Sequence, residues 1–267
     1  MPAGGPYGRF YFFLRLVRRK LVGWVRGGWY RLVRRPLGYL AWTLWCRLDW
    51  VPDSILSRRN ALARLDNLTL LEVSPALISN FVQDGDVMRK WFVWPGDWDR
   101  RVEPIECHSR YRLMADVWAH RDHLQDSATL GAFNSCLQEG RPVELVNASL
   151  RLDSPERVLG FLQQQLDLFN SLAREGFRPE RAPDELKVAI GRHGEIIKAN
   201  GGRKRLMASR ILGLEAIPMR VAYIHRDWLQ RHRAPGEHRG DAARAALRAV
   251  RAAIVDTPAT PYTGGRS

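Results

Sequence analysis

The chain has 267 residues, enough for one or two domains, and 45% of them are hydrophobic, enough to bury a substantial core. Ten Trp and 15 Pro argue against a simple helical bundle, and the formal net charge of +14 points to anionic partners. Cys46, Cys107 and Cys136 are an odd set without CxxC spacing. That excludes a disulfide framework and a zinc site, and fits reduced thiols in a cytoplasmic protein.

The first 50 residues hold ten cations against a single acid, Asp49, so most of the positive charge sits there. Residues 1–8 read as a Gly/Pro-rich tail. Over residues 10–25 apolar side chains recur at helical spacing, with Arg15, Arg18, Arg19 and Arg26 largely off the stripe. Gly27 and Gly28 interrupt this helix, and a second is expected over residues 37–48. Trp24, Trp29, Trp42, Trp45 and Trp50 supply half of the Trp content. The longest apolar run, residues 37–46, is half of the roughly 20 residues that span a bilayer. The start lacks an apolar signal core followed by a small-residue cleavage site. Residues 1–50 are therefore read as a basic amphipathic helical segment, with residues 9–48 lying on an anionic membrane surface. Nucleic acid is the alternative partner, and a helical arm packing on the protein's own core or on a partner chain is the third reading.

Residues 51–150 are expected to form an α+β region of unclear role. Residues 68–73 and 91–94 read as strands and residues 111–124 and 128–139 as helices, with a turn and helix start at residues 51–54. Asp97 and Asp99 form a compact carboxylate pair in a turn, a candidate site for Mg2+ beside a nucleotide. His108, His120 and His123 lie near Asp116 and Asp122 but read as a polar helix surface rather than a metal site.

The third region, residues 151–235, begins with Ser154-Pro155-Glu156, a strong helix start, and the helix runs to Gly176. Strands are expected over residues 186–190, 196–197 and 217–224, with a hairpin turn at residues 192–195. A Gly201-Gly202 loop precedes a short helix over residues 206–212. Residues 236–256 read as a C-terminal Ala/Arg helix and residues 257–267 as a disordered tail. Gly201 and Gly202 let the backbone approach a ligand closely. The helix that follows offers free N–H groups to an anion, and Arg203, Lys204 and Arg205 add positive charge. These five residues are the candidate phosphate-binding set.

The segment GEIIKANGGRKRLMASRILGLEAIPMRVAYIHRDW, residues 194–228, resembles the ParB/sulfiredoxin-like superfamily and in particular its uncharacterised microbial members. Gly194, Gly202, Arg205, Leu206, Gly213, Ile217, Pro218, Val221, His225 and Trp228 match the pattern. Residues 96–99 and 172–177 are similar more loosely. The resemblance implies an α+β fold, a small mixed-sheet domain whose Gly-x-x-Arg loop holds nucleotide phosphates, ATP or CTP. The superfamily includes CTP-dependent partition proteins, ATP-using sulfiredoxins and free-serine kinases. This sequence has Arg203 where sulfiredoxins carry their reactive cysteine, Gly201 where an Asp is usual and Lys204 where a His is usual. Sulfiredoxin chemistry is thereby excluded, while phosphate binding survives.

The functional expectation is a nucleotide- or phosphate-binding protein near the inner membrane surface, with phosphotransfer from a nucleotide to a small hydroxyl compound as its activity. His225, taken to stand near the phosphate loop, and Glu195 in the hairpin are the candidate acid/base residues. The alternative is a nucleotide-switched, partition-like DNA-binding protein, although no helix-turn-helix signal follows the module.

Overall fold

The computed structural model describes residues 35–83, 90–145, 150–181 and 185–256. The chain runs α1 (Arg35–Arg47), α2 (Arg58–Leu65), β1 (Leu70–Val73), β2 (Asn80–Val82), β3 (Val93–Trp94), β4 (Val102–Pro104), α3 (Ser109–Ala119) and α4 (Ala128–Gln138). It continues with β5 (Val143–Leu145), β6 (Leu150–Leu152), α5 (Pro155–Glu175), β7 (Lys187–Ile190), β8 (Ile196–Lys198), α6 (Arg203–Ile211), β9 (Ile217–His225), α7 (Arg226–Arg231) and α8 (Arg239–Asp256). The architecture is mixed α and β, as the sequence predicts.

Seven strands form one mixed sheet in the order β1-β9-β7-β8-β2-β4, with β3 also pairing β9. The apolar run of β9 explains its central place, since a strand buried on both faces needs no polar alternation. Its partners are β7 in parallel on one side, and β1 antiparallel and β3 parallel on the other. One face of the sheet carries Val188, Ile190, Met219, Val221 and Ile224 against buried residues of α1, α2, α3, α5, α6 and α8. The opposite face carries Ala189, Ile197, Ala222 and Tyr223 under Trp98. A third cluster joins α3, α4, α5 and the β5–β6 hairpin around Leu152, Phe161 and Leu162.

The helices follow local rules. The Ser154 side chain caps α5 and Pro155 opens it; Val158, Phe161, Leu162, Leu166, Phe169 and Leu172 form its buried stripe. Ser127 caps α4 in the same way.

Three expectations are corrected. First, the segment 51–150 is not a separate region, because β1, β2, β3 and β4 all join the sheet built by β7, β8 and β9. Second, residues 35–47 do not lie apart from the body. Trp45 is fully buried, Trp42 nearly so, and both belong to the main core. Trp45 donates its Nε1–H to Asp53 at 3.0 Å, and Gly240 lets α8 approach Trp42 and Cys46 closely. Residues 1–34, which carry the rest of the expected basic segment, lie outside the described residues. Third, α6 starts at Arg203, three residues before the expected Leu206.

Candidate functional site

The loop before α6 is held by a residue that carries no sequence signal. Lys198, at the end of β8, is 1% exposed. Its ammonium donates to the carbonyls of Lys187 (2.9 Å), Gly201 (2.6 Å) and Ala199. Burial pushes this ammonium well below the usual lysine range, and Arg203, Lys187 and Arg205 push it further. The chain then turns through Gly201 (φ 86°) and Gly202 (φ 66°). Gly202 is fixed twice, by its left-handed backbone and by Leu186, which a Cβ there would strike.

Arg203, Lys204 and Arg205 thus occupy the first turn of α6, and no acid stands there. Cations are disfavoured at this positive helix end by about 0.3–1 kcal/mol each at exposed positions, so three in succession need an explanation. They fan out around the helix. Arg203 lies over the Phe81 ring (5.3 Å), Lys204 over Phe161 (5.7 Å) and Arg205 over Phe177 (5.7 Å). Arg205, the superfamily's phosphate arginine by resemblance, therefore lines a small pocket of about 110 Å3 with Ser171 and Glu175. Lys204 instead lines a separate cleft of about 630 Å3.

That larger cleft brings in residues that sequence reasoning did not assign to the site. His108, Ser109 and Arg110, from the start of α3, line it with Lys204. The His108 side chain caps α3, its Nδ1 accepting from the Arg110 backbone N–H at 3.1 Å. Nδ1 being an acceptor, the neutral ring carries its proton on Nε2 and is a donor there. Burial lowers the His108 pKa from its ordinary value; Glu103 pulls it up, while Arg203 and Arg110 push it down. Burial also lowers Arg110, with Arg203 adding to the effect, and lowers Lys204, with Arg110 adding. Arg110 is repelled by Arg203 and Lys204 by Arg110; among the described residues none of the three has a salt bridge to a carboxylate, although Asp116 and Glu144 also line the cleft. The walls of the cleft are mainly apolar: Leu113, Ala128, Ala132, Phe133 and Phe161.

The remaining candidates lie elsewhere. In the β7–β9 ladder Lys187 is level with Arg220 and Ile190 with Ile224. The loop leaves the sheet at the Lys187 end, and His225 ends β9 beyond the Ile190 end, about 10 Å away along the strands. His225 is 1% exposed. Its Nε2–H donates to the Gly96 carbonyl at 2.7 Å, and its Nδ1 accepts from the Asp227 N–H at 3.1 Å as the cap of α7. Both ring nitrogens are thus committed, and the expected proximity to the phosphate loop is corrected. Glu195 stands at the same far end, accepting from the His193 N–H within the hairpin turn.

Asp97 and Asp99 are at that end too. Arg192 grips Asp99 bidentately (2.9 and 2.7 Å) and also reaches Asp97 (2.7 Å). Burial alone would raise the Asp99 carboxyl, but the Arg192 side-chain and backbone hydrogen bonds hold it below its usual value. The Arg192 side-chain hydrogen bond lowers Asp97 likewise. These carboxylates do not fit the expected Mg2+ site, since their charge is met by Arg192 and they stand away from the loop. Among the described residues no group of three or more His, Cys, Asp and Glu side chains is arranged to hold a metal. His120 pairs with Asp116 within α3 and its cap.

Gly194 and Trp228 pack on one another. Gly194 (φ 94°) faces Trp228, whose Nε1–H donates to the Ala246 carbonyl at 3.2 Å. The chain matches no family model, no curated protein and no solved structure.

Proposed function

We propose that the chain binds a phosphate-bearing small molecule, nucleotides being the first class to test, in the cleft between α3, α4, α5 and the start of α6. The carrying observation is the pair Arg110 and Lys204, which bring two helix starts to one cleft beside Arg203 and which have no salt bridge to a carboxylate among the described residues. A phosphate supplies the missing negative charge and accepts from the Arg110 and Lys204 side chains. Phosphotransfer to a hydroxyl needs a proton acceptor near the phosphate. His225 and Glu195 are at the other end of the sheet and His108 presents a donor, so binding is the activity this arrangement favours. Isothermal titration with a panel of nucleoside mono-, di- and triphosphates, with and without Mg2+, tests it. Binding that Lys204→Gln weakens about tenfold is expected. Binding of none of them, or equal binding by the variant, overturns the proposal.

A second reading concerns an anionic membrane as partner. Among the described residues no helix is long and apolar enough to cross a membrane. Leu37, Tyr39 and Leu40 are nonetheless exposed on α1, and Trp50 just after it is 80% exposed. Residues 9–34 precede them with eight cations and no acid. A lipid surface accepts both features. Flotation with anionic vesicles across a salt series, beside a DNA gel shift, separates the two partners. Salt-resistant flotation is expected of the full chain and not of a chain beginning at Arg35, which keeps α1 in the core. Duplex binding without flotation would replace the membrane by nucleic acid.

A further inference from the structure

The cleft also says what carries the phosphate, given the reading of the site above. Its cations are gathered at one end, where α3 and α6 begin. Phe161 and Phe133 with Leu113, Ala128 and Ala132 make up its walls. The polar side chains deeper in the cleft are largely spent on the protein itself. Asp116 Oδ2 accepts from the Ser127 hydroxyl (2.7 Å) and the Thr129 N–H (2.8 Å), and His120 stands 3.1 Å from Oδ1. The Gln165 amide donates to the Phe161 carbonyl at 2.8 Å. Ser109, Arg112 and Glu144 are the other polar residues of the lining. The volume, about 630 Å3, is that of a site for a small organic molecule rather than for a bare ion.

We infer that the preferred ligand is a phosphate monoester with an apolar body, the phosphate on Arg110 and Lys204 and the body against Phe133 and Phe161. His108, through its Nε2–H, is a further phosphate donor. Recognition of the body rests on burial and shape, and burial of an apolar group is favourable without any directional partner.

The test is titration calorimetry of the full chain with five probes: inorganic phosphate, glycerol 3-phosphate, AMP, 1-naphthyl phosphate and octyl phosphate. The two apolar esters are expected to bind at least tenfold tighter than the other three, and comparing them tells an aromatic body from an aliphatic one. Phe133→Ala should erase that preference and leave the affinity for inorganic phosphate unchanged. Lys204→Gln should weaken all five by a similar factor. Equal affinity for inorganic phosphate and both apolar esters overturns this inference and leaves phosphate binding standing. So does tighter binding of AMP, or a preference that survives Phe133→Ala. If no probe binds, phosphate binding at this cleft falls, and this inference with it.

Discussion

The two ends of the central sheet treat charge in opposite ways. At the end where β7 and β9 finish, each buried or half-buried charge meets an opposite one. Arg192 holds Asp97 and Asp99, while Arg226 and Arg239 both reach Asp53 at 2.7 and 3.2 Å. At the end where β8 leads into α6, Arg110, Arg203 and Lys204 are brought together with no salt bridge to a carboxylate among the described residues. The first end behaves as structure, since paired charges have little left to offer a ligand. The second keeps mutual repulsion that an anion would relieve. Sequence motifs alone point partly the other way, since they single out His225, Asp97 and Asp99 at the compensated end as functional.

The largest expected effect tests the compensated end. Asp53 is 7% exposed and serves Trp45, Arg226 and Arg239 at once. Asp53→Ala should lower unfolding free energy by about 3 kcal/mol, because it strands a buried guanidinium and an indole N–H. Urea denaturation reads the loss, and affinity for any phosphate ligand should not change. A stable variant that no longer binds would reverse the assignment of the two ends.

Removing charge at the other end should do the converse. Arg110→Gln combined with Lys204→Gln should weaken phosphate binding by about 100-fold, roughly tenfold for each charge-assisted contact. Stability should stay level or rise, since the substitutions remove repulsion. A clear fall in the urea midpoint would mean that these cations serve the fold.

Gly202→Ala sharpens the comparison at the loop itself. A left-handed alanine colliding with Leu186 should cost about 2–3 kcal/mol, again read by urea denaturation. Binding should weaken as well, because the Arg203–Lys204 turn would shift. Unchanged stability would show that the loop is not held as described.

The smallest effect is a pH dependence. The folded protein holds the His108 pKa below that of an unfolded histidine, about 6.5. As pH falls below about 6.5 the unfolded chain takes up a proton that the folded chain resists, so stability is lost in that direction. His108→Asn keeps a capping side chain on α3 and should flatten the change in urea midpoint between pH 7.5 and 5. An identical slope in both proteins would remove His108 from the set of groups at the cleft.

Much of the fold was legible because its signals are local. Ser154-Pro155 opens α5, and the apolar run of β9 is visible in the sequence. The short strands β2 and β4 were not, since three residues such as Asn80–Val82 acquire strand character only through their partners. Of the candidate site, Gly202 and Lys204 could be read from the loop. His108 and Arg110 could not, because nothing local marks them and they reach Lys204 from more than 90 residues away in the chain. Lys198 gave no signal either: a lysine ending a strand reads as solvated, and its burial depends on which carbonyls surround it.

By itself the sequence determined that α5, α8 and β9 form, which of their faces are apolar, and that a glycine-basic turn precedes α6. These are matters of near neighbours, caps and periodicity. Only the tertiary structure decided which charges are neutralised. It placed Arg192 against Asp99, 93 positions apart, and the start of α3 beside the start of α6. Electrostatic energy depends on what lies within a few ångströms in space, whatever the separation along the chain.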